Sequence, residues 1–424
     1  MKIWHLEKEK DKLVAFIEDI RERRRHDTGD AVRTIKKTLL AKKEKALVAF
    51  ARKWDGWKRE YPLQVSLKEI ERAAQTVSRK DRAVLKGMIQ HVASYHSTQK
   101  PQHHTYQKKG IVVKDDRIPV ERVLIYVPGG RATYPSSLVM AAVPAQIAGV
   151  EHIYITTPAV NGRIDPYIGA CCKLLGINTL YRIGGAQAIY AFSYGIGNIP
   201  KVDLIVGPGN AFVEEAKRDV FGRVGIDMLA GPTELIVLCD TPFSPKAVAW
   251  DIFSQAEHDE MAMVGVFSRS KEHMYDVLKY MEKLIAFNKR RDVIEKALQH
   301  NSFMVYYADI DNAVDTINTI APEHLEYIGN QKHEKRLRYP GIIYTGHYTT
   351  VAMGDYYIGT NHILPTSGAG RFTGGLSVDT FLRRKTVVRI DKRFLYTYGN
   401  QAIRFSHMEG LFAHGEAIQA RKEL

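Results

Sequence analysis

Cysteine is scarce: Cys171, Cys172 and Cys239 are the only three in 424 residues. Three thiols cannot build a disulfide framework, and the adjacent pair lacks zinc-finger spacing, so all three are expected as buried reduced side chains. Long apolar runs are also missing, each being broken by Gly, Pro or a polar residue before the roughly 18 residues a membrane-spanning helix needs. That excludes a transmembrane protein. The start, Met1-Lys2-Ile3-Trp4-His5-Leu6-Glu7-Lys8, goes straight into mixed charge without the apolar core or cleavage site of a secretory signal, and a cytoplasmic protein is expected. No stretch fits the G-x-G-x-x-G dinucleotide fingerprint.

What is present is a globular composition, 45% hydrophobic and 25% charged, with a net charge of +14. Half of that excess lies in residues 1–60, where 18 Lys and Arg face 11 Asp and Glu. The run Arg21-Glu22-Arg23-Arg24-Arg25 suits either a nucleic-acid contact or a solvated helix face with interleaved acids. No aromatic stacking groups or recognised nucleic-acid module accompany it, so no nucleic-acid partner is expected.

Residues 1 to about 100 read as helices, with Leu13, Phe16, Ile17 and Ile20 at intervals of three and four. A polar, His-rich stretch follows at Gln99–Lys109, suiting a solvated loop better than a metal site. From residue 110 short β-branched runs alternate with helical segments: Arg122–Val127, His152–Thr156, Asp203–Val206, and then Glu234–Leu238, Met263–Phe267 and Gly341–Thr345. Such alternation implies right-handed crossovers and two units with mainly parallel sheets. The end of the chain, after about 378, reads as helical and basic; too small to bury a core alone, it should dock on the body or on a second subunit.

Three strand-to-helix loops are glycine-rich: Tyr126-Val-Pro-Gly-Gly130, Gly184-Gly-Ala-Gln187 and Gly207-Pro-Gly-Asn210. Each is a tight turn or a place where backbone approaches a nucleotide at the open end of a parallel sheet. In Ser254-Gln-Ala-Glu-His-Asp259 the spacing puts Gln255 and His258 on one helix face, which is half a metal site or merely a polar helix end. Further donors are available in Gly354-Asp355-Tyr356, Thr360-Asn361-His362 and His414, and a set without thiolate suits a catalytic rather than a structural zinc. In Ala321-Pro-Glu-His-Leu325, an acid stands beside an imidazole after a Pro that predicts a helix start; two adjacent residues reach one cleft only from its first turn or the preceding loop.

In series, YVPGG, GGAQA, VGPGN, DMLAGPTE, SQAEHD, APEHLE, GDYYIGTNHILPT and EGLFAH resemble the histidinol dehydrogenase family, closely from about residue 110 onward and more loosely before it. The resemblance implies an α/β fold of two incomplete Rossmann-like domains with parallel sheets, a helical N-terminal segment and a domain-swapped helical C-terminal tail. The corresponding boundaries are 1–25 for the N-terminal segment, 26–125 with 235–377 for a larger domain, 126–234 for an inserted NAD-binding domain and 378–424 for the tail. It implies a homodimer with shared active sites, one Zn2+ per subunit, and NAD. Zinc would be held by Gln255, His258, Asp355 and, from the partner's tail, His414. NAD would touch Tyr126, Gln187 and Asn210. Substrate contacts would come from Thr233, His362, Glu409 and His324 beside the metal ligands. Thr233 stands where Ser is more usual and keeps a hydroxyl.

The implied reaction is a four-electron oxidation of L-histidinol to L-histidine through the aldehyde, reducing two NAD. His324 is expected as base toward the alcohol, and Glu323 as the group that activates water. A relative of the same fold acting on another small alcohol or diol is an alternative, prompted by Thr233 and by Arg131 after YVPGG. A basic nucleic-acid-binding or scaffold protein on a degenerate dehydrogenase fold is another, against which the full set of chemical groups argues.

Overall fold

The computed structural model describes residues 1–23, 28–58, 61–102, 104–129, 133–159 and 162–424. Two parallel sheets organise the chain. The larger has six strands in the order Lys2–His5, Ser302–Tyr306, Met263–Ser268, Glu234–Cys239, His324–Ile328 and Ile342–Thr345. The central runs Glu-Leu-Ile-Val-Leu-Cys and Met-Val-Gly-Val-Phe-Ser are buried along their whole length, because helices cover both faces. Leu6–Arg23 and Ile310–Ile320 lie over one face, and Pro245–Ala256, Lys271–Leu284 and Arg291–Asn301 over the other.

The smaller sheet has five parallel strands in the order Leu180–Tyr181, His152–Thr156, Arg122–Tyr126, Leu204–Val206 and Gly225–Ile226. Chain order reverses between Arg122–Tyr126 and Leu204–Val206, and a crevice opens at the carboxyl ends of strands at such a switch point. The helices Gly29–Lys42 and Glu44–Trp54, expected with the larger domain, instead bury Val32, Ile35, Leu39 and Leu47 against this smaller sheet. Leu67–Thr76 and Arg79–His96 cover its other face. A boundary at 125/126 would therefore cut the sheet's central strand at its last residue.

Two segments differ from their expected form. The N-terminal segment is not wholly helical, since Lys2–His5 is the edge strand of the larger sheet, paired to Phe303–Tyr306. The C-terminal tail is not wholly helical either: after a single 3-10 turn, Val378–Phe381, it forms a nine-residue strand, Leu382–Ile390, which pairs antiparallel with Ile111–Pro119. His104–Lys108, read as loop, completes that three-stranded ribbon. Beyond it the helices Lys392–Met408 and Phe412–Lys422 pack on each other and leave Tyr396, Phe405, Met408 and Phe412 exposed. Cys171, Cys172 and Cys239 are free and buried, as expected. Among the described residues no helix is long and apolar enough to cross a membrane.

Candidate active site

The amino edge of the larger sheet carries the chemistry. Helix Ile310–Ile320 ends at Ala321, whose φ of 48° throws the backbone out of the helix. Holding a non-glycine residue there costs on the order of 1 kcal/mol or more. Pro322 thus follows a helix rather than opening one, and His324 is the first residue of a strand. This corrects the helical placement of the pair. Glu323 precedes the strand, and its Oε2 lies 3.4 Å from Nδ1 of His324.

Neighbouring groups fix both side chains. Glu323 Oε2 accepts from the Glu234 amide at 2.9 Å and from the Thr233 hydroxyl at 2.6 Å. Thr233 also faces Gln255 Oε1 at 2.9 Å, and its single hydrogen serves one acceptor at a time. Nδ1 of His324 lies 3.1 Å from the Glu234 carbonyl, which fixes a hydrogen on Nδ1. Among the described residues the buried Nε2 has no partner, a lone pair available when the ring is neutral. Burial disfavours the imidazolium, yet the Glu323 carboxylate outweighs it and holds His324 up at about 9. Burial also raises the Glu323 carboxyl, but His324 and the hydrogen bonds from Thr233 and Glu234 bring it below the usual range.

Glu234 is itself braced from a distance. Arg21 Nε and Nη2 donate to its two carboxylate oxygens at 3.0 and 2.8 Å, and Nη2 also donates to the Ile320 carbonyl at 2.9 Å. At 5% exposure Arg21 is a structural residue, not part of a nucleic-acid surface. Arg24 and Arg25 of the same run lie outside the described residues, as do Gly130 and Arg131.

Three further segments approach the pair. Gln255 is buried in the last turn of Pro245–Ala256, while His258 stands in the turn beyond the helix, not on it, its amide bonded to the Gln255 carbonyl. Asp355 belongs to the short helix Val351–Tyr356 and lies 3.6 Å from His362 Nδ1. His362 Nε2 is 3.3 Å from the Ser137 hydroxyl. Burial lowers the pKa of His362; Asp355 opposes this, and the fields of His258 and His324 add to it. The larger sheet thus gathers Thr233, Gln255, His258, Glu323, His324, Asp355 and His362.

Glu409 and His414 do not join them. Both are exposed on the tail, and among the described residues neither side chain makes a hydrogen bond or ion pair. Correspondingly, no three His, Cys, Asp or Glu side chains among the described residues group to hold a metal. One amide oxygen, one imidazole and one carboxylate, from Gln255, His258 and Asp355, suit a borderline divalent ion but leave its sphere incomplete without a donor from elsewhere.

The second set lies at the carboxyl edge of the smaller sheet. Tyr126 ends its strand and accepts from the Gly185 amide at 3.0 Å. Gln187 is in the first turn of Gly185–Tyr194, its amide donating to Asp55 at 3.2 Å. Asn210 caps Ala211–Val220 by accepting from the amides of Phe212 and Val213. Gly207, at φ 108°, passes so close to the Tyr126 carbonyl that any side chain would collide with it. Beneath this loop Lys217, fully buried, donates to the Gly207 carbonyl at 3.0 Å and pairs with Asp227 at 2.8 Å. Asp227 accepts from the Gly207 amide, and Glu214 from those of Gly209 and Ala230. Sequence reasoning missed this network, although Glu214 and Lys217 show the three-residue spacing of a helical pair. Asp55 and Arg21 gave no local signal, since their partners are remote in sequence.

Comparison with known proteins shows the family. A family model described as histidinol dehydrogenase matches residues 19–422. Histidinol dehydrogenase of Chlorobaculum tepidum is 38% identical over 399 residues, covering 92% of this chain and 93% of that protein. That of Staphylococcus aureus is 36% identical over 381 residues, covering 89% and 91%. The crystal structure of histidinol dehydrogenase from Elizabethkingia anophelis superposes with a TM-score of 0.89 at 31% identity, covering 94% of this chain and 93% of that one. The chain belongs to the histidinol dehydrogenase family of NAD-dependent oxidoreductases.

Proposed function

We propose that the protein oxidises L-histidinol to L-histidine through the aldehyde, with two NAD reduced in turn, at sites shared between two copies of the chain. The observation that carries this reading is the buried Glu323–His324 pair, with Nε2 of His324 unpartnered among the described residues and Asp355, His258 and His362 gathered around it. In the first step neutral His324 takes the alcohol proton through Nε2 while hydride leaves the carbinol carbon, giving the aldehyde. In the second, Glu323 takes a proton from water as the oxygen adds to the aldehyde carbon, and hydride leaves the resulting hydrate. One histidinol and one water thus give histidine and two hydrides, with the protons released. General-base assistance of this kind contributes roughly 10² to 10⁴ in rate.

Zinc, held by Gln255, His258, Asp355 and His414 of the partner subunit, would supply a fixed point for the substrate amine and imidazole. Thr233, lying between Glu323 and Gln255, orients whichever of the two accepts its hydrogen. His362, kept neutral by burial, offers a hydrogen-bonding ring to the polar substrate, and Glu409 of the partner subunit would add a carboxylate for its cationic amine. Tyr126, Gln187 and Asn210 would line the NAD crevice. The exposed aromatic residues of the tail suit burial against a second copy, in line with the sharing of His414 and Glu409. The test is a stoichiometry: two NADH per histidinol consumed are expected. A single NADH, or equal turnover of small diols, would replace the reading with a simple alcohol oxidation.

A further inference from the structure

A second pair of acids lies behind the site, on the same elements. Asp251 is on helix Pro245–Ala256 one turn before Gln255. Glu326, 2% exposed, is two residues beyond His324 on strand His324–Ile328, and so on the same face of the sheet. The two carboxyl groups hydrogen bond to each other. The third element is tied to both: the Thr350 hydroxyl donates to Asp251 Oδ1 at 2.8 Å, and the Val351 amide donates to Glu326 Oε1 at 2.7 Å. Val351 opens the helix whose next turn carries Asp355.

A hydrogen bond between two carboxyl groups requires that one keep its proton, and burial favours this by raising both. Among the described residues no Lys, Arg or His pairs with either acid. Buried acids without a cation are a costly way to join a helix to a sheet, where an apolar contact would serve for adhesion alone. What the acids add is direction, since four bonding groups from three segments meet at fixed angles and lengths.

We propose that Asp251 and Glu326 are positioning residues that set the spacing of the segments bearing Gln255 and His258, His324, and Asp355. The inference rests on the metal-donor reading above. Zinc affinity, measured by competition with a fluorescent chelator on the full-length protein, tests it without recourse to turnover. Loss of groups behind a metal's ligands typically weakens binding about 10- to 100-fold, and Asp251→Ala and Glu326→Ala should fall in that range. Glu326→Gln, whose amide can still accept from Val351 and donate to Asp251, should stay within about threefold of wild type, well short of that loss. If the alanine variants do not fold, Thr350→Val removes one bond at constant volume and should weaken zinc by a smaller, measurable factor. Wild-type affinity in the alanine or valine variants, or a loss in Glu326→Gln as large as in Glu326→Ala, overturns the proposal. His258→Asn is the control on the underlying reading: if it binds zinc as the wild type does, or if the wild type takes up none, the donor set itself is wrong and both fall.

Discussion

The pH dependence of the first oxidation should report the Glu323–His324 pair. Burial opposes the imidazolium, but Glu323, with smaller help from Asp355 and the Glu234 carbonyl, holds His324 at about 9 against an ordinary 6.5. As a base His324 must be neutral, so kcat/KM for histidinol should rise with pH and level off only above about 9. Glu323→Gln keeps the volume and the burial but removes the charge. Burial then works against the weaker influences of Asp355 and the carbonyl, and the rising limb should move down to the ordinary value or below. That displacement is roughly two units or more, or ~3 kcal/mol of imidazolium stabilisation at 1.36 kcal/mol per unit.

Stopped-flow measurement of the first NADH formed, across about pH 6 to 10, isolates this step from the later one in which Glu323 is itself required. Stability should carry the same signature. The folded pKa of His324 is raised, so its contribution is fully present below 6.5 and is lost as pH rises through about 9. The difference in stability between wild type and Glu323→Gln should therefore shrink across that window. A wild-type limb near 6.5, or one that Glu323→Gln leaves in place, would refute the assignment of His324 as a base tuned by Glu323.

Two further outcomes test the cofactor edge and the shared site. Lys217→Met leaves Asp227 and Glu214 buried without their cation, which should cost about 3–5 kcal/mol in denaturant unfolding. With the Gly207–Asn210 loop unclamped, KM for NAD should rise about tenfold, equivalent to ~1.4 kcal/mol, while kcat changes far less. His258→Asn and His414→Asn should each be inactive alone but recover part of the activity when co-refolded, because a mixed dimer rebuilds one intact site; absence of recovery would argue for sites complete within one chain.

The parallel strands were legible because runs such as Glu234–Cys239 are apolar after their first residue, the mark of a strand covered on both faces. The strand Lys2–His5 was not, being four residues of mixed polarity at an edge. Leu382–Ile390 sets three basic residues in a row before Thr386 and two Val, without the alternation of a half-buried strand, and exposes nearly all of them, so no buried stripe separates it from a helix. Pro322 misled for a specific reason: the left-handed Ala321 ends one helix just before it, a signal usually carried by glycine. The grouping of Thr233, Gln255, Glu323, Asp355 and His362 could be anticipated only through the family's motif order, because no local period brings those segments together. Arg21 illustrates the limit from the other side, since its partner Glu234 is 213 residues away and its neighbours suggested solvent.

The placement of the first 23 residues has a consequence for how the molecule is made. Lys2 pairs with Phe303, and Arg21 closes on Glu234 beneath the reacting groups, so neither finds its place until most of the chain has left the ribosome. Contacts this distant in sequence form late and slowly. During synthesis the opening strand and helix must wait with Trp4, Leu13 and Ile17 unburied, and the bed under Glu323 and His324 is among the last parts of the protein to set.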